Sequence, residues 1–456
     1  MRSKDELLRL IIRETRRTQV EPWKRPVSGA HKTLNLPPML PVGDGRQLPA
    51  TDELLQAVYQ LAELQWRNET SLKPRFKIGE LANLYRDSFG EVLSALDPDK
   101  DDEELVSDLG KNVSDLLSSR IRLRDRPVDL TLGCHLFEGE AAYPIRVGPV
   151  VFETREQWRL RLVSEGRISY ITARRLASRW AGSPIRKRKR SFDEDAETEI
   201  FNSVGDCSTI CTVSTRELSS ANTKEKGILA ARMAMAAIAL IWPRPSQTLE
   251  WMNLLYDRRL DNRYTVQFSS GTHVGFSHER GQLPCGKFVD QEEIEILRNY
   301  GPLLEQIGEA LTSYAQPSDE TKRPNLMNAL FLSLWWFHEA CREPLDQIAV
   351  TKFAASMDAL VKGQDAHAIL RFIEARTGIG PKDTLITTGL TTEKVMDKIY
   401  GKGRSQLIHG SSKDFSHDWS EPRAIAEVVG RMCLVEACGW MAQNGSIDCV
   451  EALSER

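Results

Sequence analysis

The sequence has none of the short motifs that announce common chemistries. Its 456 residues contain no GxGxxG, no GxxxxGK[ST], no GxSxG and no HExxH. A dinucleotide cradle, a phosphate loop, a hydrolase nucleophile elbow and a zinc-protease helix are therefore not expected. There is no internal repeat and no long apolar run of membrane-span length. The most apolar stretch, Gly227 to Trp242 (GILAARMAMAAIALIW), is too short and carries Arg232 in its middle, so it predicts a buried core helix. The N-terminus, MRSKDELLRLIIRETRR, has charges throughout and no export signal, which leads to the expectation of a cytoplasmic chain with no membrane partner. No excess of one charge marks the whole: the formal net charge is −3, so the chain is not a polycation built to coat nucleic acid. No CxxC knuckle is present. The eight cysteines are scattered and fit reduced thiols. Cys207 and Cys211 lie close, and Cys134–His135, His273, His278 and Cys285 could join them in a zinc site. Nothing fixes that grouping, so isolated thiols, no metal and no cofactor are the expectation.

What is present is ordinary globular composition, 41% hydrophobic and 27% charged. At roughly 150 residues per domain this gives about three domains. Apolar spacing predicts helices over 4–19, 52–66, 76–96 and 103–120, with a Pro/Gly-rich extended stretch from Pro22 to Pro49. The loop DPDKDD at 97–102 alternates acids like a calcium loop but lacks the glycine and the closing glutamate, so a solvated loop is expected. Short strands are predicted in 127–153, 208–215 and 263–276. From residue 289 onward the pattern is helical: 289–315, 325–343 stopping before Pro344, 345–360, 365–376, 392–400 and 422–444. The expected class is α+β. A helical region (1–125) precedes a mixed α/β sensor or scaffold domain (126–288), and an all-α bundle (289–456) ends the chain.

The near-neutral total hides a strongly basic segment. Residues 155–190 hold twelve Arg or Lys against two acids, then the sequence flips into SFDEDAETE. Clustered guanidinium groups suit a nucleic-acid backbone, because they release its counterions. Arg174, Arg175, Arg179, Arg186, Lys187 and Arg188 are the candidate RNA-binding residues. The competing reading is an exposed helix and loop whose charges are neutralised by the following acids. A nuclear address in RKRKR is a third reading.

The segment with the most chemical content is Tyr400-Gly-Lys-Gly-Arg404-Ser-Gln-Leu-Ile-His409-Gly410. An Arg and a His near one another suit metal-free cleavage of RNA. Imidazole can take a proton from a ribose 2′-hydroxyl or give one to the leaving oxygen near neutral pH. Guanidinium can hold a phosphate and the negative charge that grows in the transition state. Five positions on an ideal α-helix turn through about 140°, so the pair shares a face only where the helix ends or bends. The bland alternative is His409 bonded to a helix-end carbonyl and Arg404 paired with Asp397 or Asp414.

Three blocks place this pair in context: ALFLSLWWFHEA at 329–340, FAASMDALVKG at 353–363 and IYGKGRSQLIHGSS at 399–412. Together they resemble the Apea-like branch of the HEPN superfamily, over about 130 residues at the C-terminal end. That resemblance implies a HEPN helical bundle and a metal-independent endoribonuclease, acting in phage defence or toxin systems as a homodimer or higher oligomer. Arg404 would bind phosphate, His409 would be the acid/base, Ser405 the small polar neighbour, and Asp358 the charged residue of the second helix, where Glu is more usual. RNA, whether tRNA or mRNA, would be the partner, with a phage-derived or nucleotide trigger. The sequence departs from the pattern in the extra glycine between Tyr400 and Arg404. It also has Ser411 where toxin-type relatives carry a modified tyrosine, so nucleotidylation there is not expected. The alternative is a non-catalytic HEPN adaptor, a nucleic-acid-binding or dimerisation module. Within the bundle, Trp335–Trp336 are expected in the core or a dimer interface and His338 and His367 in structural roles, while His417 and Asp418 lining the same cleft is the lesser reading.

Overall fold

The structure, a computed structural model, describes residues 2–20, 38–96, 100–124, 126–137, 142–257, 262–269, 272–280, 291–317, 321–385, 389–405 and 418–455. The fold is mixed α+β and divides into two compact units. One comprises Met1–Val128, Arg216–Lys224 and Pro317–Asp319, and the other holds the remainder.

The first unit is built on helices α1 (Lys4–Val20), α2 (Asp52–Asn68), α3 (Ile78–Ser94) and α4 (Asp102–Leu123), with a small hairpin of β1 (Met39–Pro41) and β2 (Gln47–Pro49). Leu7 and Ile11 of α1, Leu54 and Val58 of α2, Phe89 of α3 and Leu109 of α4 close one core. Local chemistry sets the helix starts. Thr51 accepts from the amide of Leu54 at 3.1 Å and donates to Glu14 on α1 at 3.0 Å, so one hydroxyl both caps α2 and ties it to its neighbour. Asp101, at the end of the acidic loop, caps α4 by accepting from the Glu103 amide. Residues 97–99 lie outside the described residues.

The second unit carries a five-stranded sheet in the order β4-β5-β6-β3-β7. Its strands are β3 (Val128–His135), β4 (Ile145–Val147), β5 (Val150–Thr154), β6 (Thr209–Thr215) and β7 (Asn253–Leu254). Thr154 ends β5 and opens helix α5 (Arg155–Ser164) through a capping box with Gln157. Helices α6 (Tyr170–Trp180) and α7 (Phe192–Val204) follow, then α8 (Ser220–Ala239) and the short α9 (Pro245–Glu250). The apolar run of α8 is buried, and its Arg232 pairs with Asp257 through both Nε and Nη2. No helix among the described residues is long and apolar enough to cross a membrane. Strands β8 (Asn262–Ser269) and β9 (Thr272–Arg280) form a separate antiparallel hairpin.

The C-terminal half of this unit is helical: α10 (Gln291–Asn299), α11 (Gly301–Ala315), α12 (Pro324–Cys341), α13 (Asp346–Ala359), α14 (Ala366–Thr377), α15 (Thr392–Met396), a π-helical stretch Asp397–Ser405 and α16 (Ser420–Gln443). These helices do not form a domain of their own. Val147, Phe152 and Val213 of the sheet belong to the same apolar core as Ile307, Phe337, Phe353 and Val429. Glu427 of α16 accepts from the amide and hydroxyl of Ser246, and Arg431 donates to the carbonyls of Leu240 and Ile241. The longest segment of the first unit ends at Val128, and residues of both 126–288 and 289–456 contribute to one core. Composition reports how much apolar surface a chain holds, not how many cores it is shared among.

Candidate functional site

Arg404 sits on the π-helical stretch that follows α15. The wider turn of that helix is uncommon and brings Tyr400 and Arg404 into contact. Arg404 donates through Nη1 to the Tyr400 hydroxyl, and its guanidinium lies 4.8 Å from the ring centre. The stretch packs directly on α13. A Cβ on Gly403 would lie 2.5 Å from Cγ1 of Val350, so only glycine permits the approach. Eight residues further along α13, Asp358 meets the same guanidinium, with Nη2 of Arg404 at 3.0 Å from Oδ2. The pairing partner is thus Asp358 and not Asp397.

Asp358 is buried, and its Oδ1 has no hydrogen-bond partner among the described residues. Burial pushes its carboxyl up to about 6, against the pull of the Arg404 charge and the Tyr400 hydroxyl. The Tyr400 phenol is also raised, by burial and then by the Asp358 charge. The carboxyl of Asp358 therefore changes charge near the pH at which a general acid or base is most effective.

The sign of the effect on stability follows. The folded-state value lies above the ordinary 3.8, so the native state holds the proton longer than the unfolded chain. The contribution of Asp358 to stability is greatest below pH 4, falls as pH rises to about 6 and is level above it. Asp358→Asn is expected to stabilise the protein at pH 7 by about 1–2 kcal/mol, after allowance for solvent screening. The gain should vanish at pH 4, as read by urea unfolding at the two pH values.

Of the remaining expected site residues, Ser405 closes the π-helical stretch and is half-buried. His409, Ser411, Asp414 and His417 lie outside the described residues. Asp418 accepts from the amide of Ser420 at the start of α16. His338 is buried with Nδ1 3.2 Å from Glu339, and His367 is exposed. Trp335 and Trp336 stack at 6.1 Å on the surface of α12, 38% and 40% exposed, so they are not core. Tyr400 carries no role in the family resemblance; its spacing of four from Arg404 is the signal the sequence holds for this contact.

The basic segment splits in two. Glu197 on α7 is buried, and three of the candidate RNA-binding residues turn inward to it. Arg175 donates to Glu197 at 2.6 Å, while Arg179 and Arg188 each lie 3.6 Å from it. Arg188 also holds Asp193 at 2.5 Å, and Arg179 covers the ring of Phe201 at 3.9 Å. Arg174, Arg186 and Lys187 are exposed, as are Lys189 and Arg190.

None of the seven described cysteines is in a disulfide, and all but Cys449 are buried. Cys134 and Cys211 lie in the sheet core, where burial raises both thiols. Cys207 differs from an isolated thiol, because His135 and Asp206 join it in the one mixed donor group found among the described residues. The side chains of His273 and His278, and all of Cys285, lie outside them. Compared with protein-family models, with curated proteins and with solved structures, the chain finds no match.

Proposed function

We propose that the C-terminal helices carry a HEPN-type endoribonuclease site that works without metal, as the effector of a bacterial anti-phage or toxin-type defence system. The observation that supports this reading is the Asp358–Arg404 pair, a carboxyl poised at about 6, with one oxygen unpartnered among the described residues, beside a guanidinium. In the reaction, a base takes the proton of the ribose 2′-hydroxyl and the 2′-oxygen attacks phosphorus. The bond to the 5′-oxygen breaks, and an acid protonates that leaving oxygen. Arg404 binds the phosphate and its growing charge. His409 and Asp358 are the proton carriers. The exposed Arg174, Arg186 and Lys187 hold the RNA backbone, and the Trp335–Trp336 face pairs with a second copy of the chain. The remaining parts sense a phage-derived or nucleotide trigger in the cytoplasm.

A second, non-catalytic reading as an adaptor or nucleic-acid-binding module is favoured by the engagement of Arg404 with both Asp358 and Tyr400. One experiment separates the two: purified chain with total RNA, in EDTA, beside His409→Ala. Cleavage that persists in EDTA and is lost in the variant supports the nuclease. Cleavage that survives in the variant overturns it. A salt-dependent RNA gel shift in both proteins with cleavage in neither supports the module.

A further inference from the structure

At the C-terminal end of β3, His135 meets the turn that joins α7 to β6. Its Nε2 lies 3.6 Å from Sγ of Cys207. Asp206 brings a carboxylate to the same place, and one donor atom from each of the three lies within 4.8 Å of the others. His135 is half-buried, Cys207 buried and Asp206 exposed, so the group opens to solvent on the carboxylate side.

The composition of the group is selective. Calcium and magnesium are held by oxygen ligands in larger number. Thiolate and imidazole together suit a borderline-soft cation, and the carboxylate adds charge. Zinc takes sulfur at about 2.3 Å and nitrogen at about 2.0 Å, which at a tetrahedral angle sets the two about 3.5 Å apart. The 3.6 Å between Nε2 and Sγ is that edge. Asp206, on the exposed turn, brings a carboxylate oxygen within 4.8 Å of both other donors.

The approach of the turn to the strand is fixed by the sequence. A Cβ on Gly133 would lie 2.5 Å from the carbonyl oxygen of Val204 and 3.1 Å from Sγ of Cys207. A larger residue there would push the end of α7 and the thiol away from β3. Gly205, at φ +58°, reverses the chain between α7 and the ligand pair. Arg155 then donates to the carbonyl of Cys207 at 3.2 Å and holds the turn.

We propose that His135, Asp206 and Cys207 form a zinc-class metal site with three protein ligands and an open fourth position. On binding, the thiol of Cys207 gives its proton to solvent and ligates as thiolate. The open position takes water or a substrate atom, as in zinc sites that do chemistry and unlike closed structural ones. The site shares no residue with the Arg404 cluster and does not depend on the ribonuclease reading.

The test uses the full chain, stripped with chelator and titrated with cobalt(II), which takes the same donors and reports thiolate ligation by a charge-transfer band. One equivalent should develop the band, and zinc should abolish it. Cys207→Ser should lack it, and Asp206→Asn, at an exposed position, should weaken cobalt binding by more than about tenfold. Three results overturn the proposal. The first is no band at one equivalent in the wild-type chain. The second is a full band in Cys207→Ser, which would trace to another thiol such as exposed Cys449. The third is an Asp206→Asn titration identical to the wild type, which would leave only a thiol–imidazole hydrogen bond. If Cys207→Ser does not fold, the wild-type and Asp206→Asn titrations decide. Where it folds, Cys207→Ser has no ion at this site to lose, so it also serves as the background in which RNA cleavage in EDTA is judged.

Discussion

Arg404→Ala should lower the proposed RNA cleavage about 10²–10³-fold, the loss typical when one preorganised donor to a developing oxyanion is removed. The fold should survive, because the side chain is 32% exposed and ends a helical stretch that Gly403 anchors through Val350. Arg404→Lys should recover only part of the rate, since an ammonium cannot hold two phosphate oxygens in the forked geometry of guanidinium. The pH profile provides a second signature. Arg404 pulls the Asp358 carboxyl down against burial, so its removal should move the Asp358 limb of the profile upward from about 6. A fluorogenic RNA assayed from pH 5 to 8 reads both effects. An unchanged rate in Arg404→Ala would remove the guanidinium from the chemistry.

Gly148→Ala should destabilise the second unit by about 3–5 kcal/mol, measured by urea unfolding. Gly148 lies in the turn between β4 and β5 with φ +57°, where a side chain strains the backbone by about 1–2 kcal/mol. Contact supplies the rest. A Cβ there would lie 2.1 Å from the carbonyl oxygen of Gly308 on α11, and one on Gly308 would lie 2.6 Å from the amide nitrogen of Gly148. Both obstacles are backbone, so no rotamer change relieves them, and the sheet and α11 must part. Gly166→Ala isolates the conformational share. Its φ is +68° with nothing within 4 Å of the new Cβ, so about 1–2 kcal/mol is expected there. Equal effects at the two glycines would disprove the backbone-to-backbone packing.

Much of this architecture was legible because apolar spacing and stop signals act locally. The helix expected over 325–343 is Pro324–Cys341, and the buried helix around Arg232 is α8. Helix α7 was not expected, although its signals were present. Ser191 caps it, three acids fill its first turn and Gly205 ends it. Its DEDAETE run has the composition of solvated counter-charge, and burial of Glu197 depends on arginines more than twenty positions away in the case of Arg175. The same contact decides which basic residues face outward, which a charge count cannot show. The hairpin of β1 and β2 was hidden by proline and glycine, and its strands have only three residues each. The meeting of Asp358 with Arg404 depends on a π-helical turn, a geometry that an α-helical period does not register.

The shared core of sheet and C-terminal helices has a consequence for the order of synthesis. The strands β3 to β7 emerge from the ribosome before α11 to α16 and before the Arg404 turn. Val350 and Phe353 of α13 and Ile399 of that stretch line the same hydrophobic interior as Val147, Phe152 and Val213 of the sheet. Nascent chains and prematurely terminated fragments therefore contain the sheet without the guanidinium–carboxylate pair. For the proposed RNA cleavage, chains that stop short of the Arg404 turn would carry no active pair.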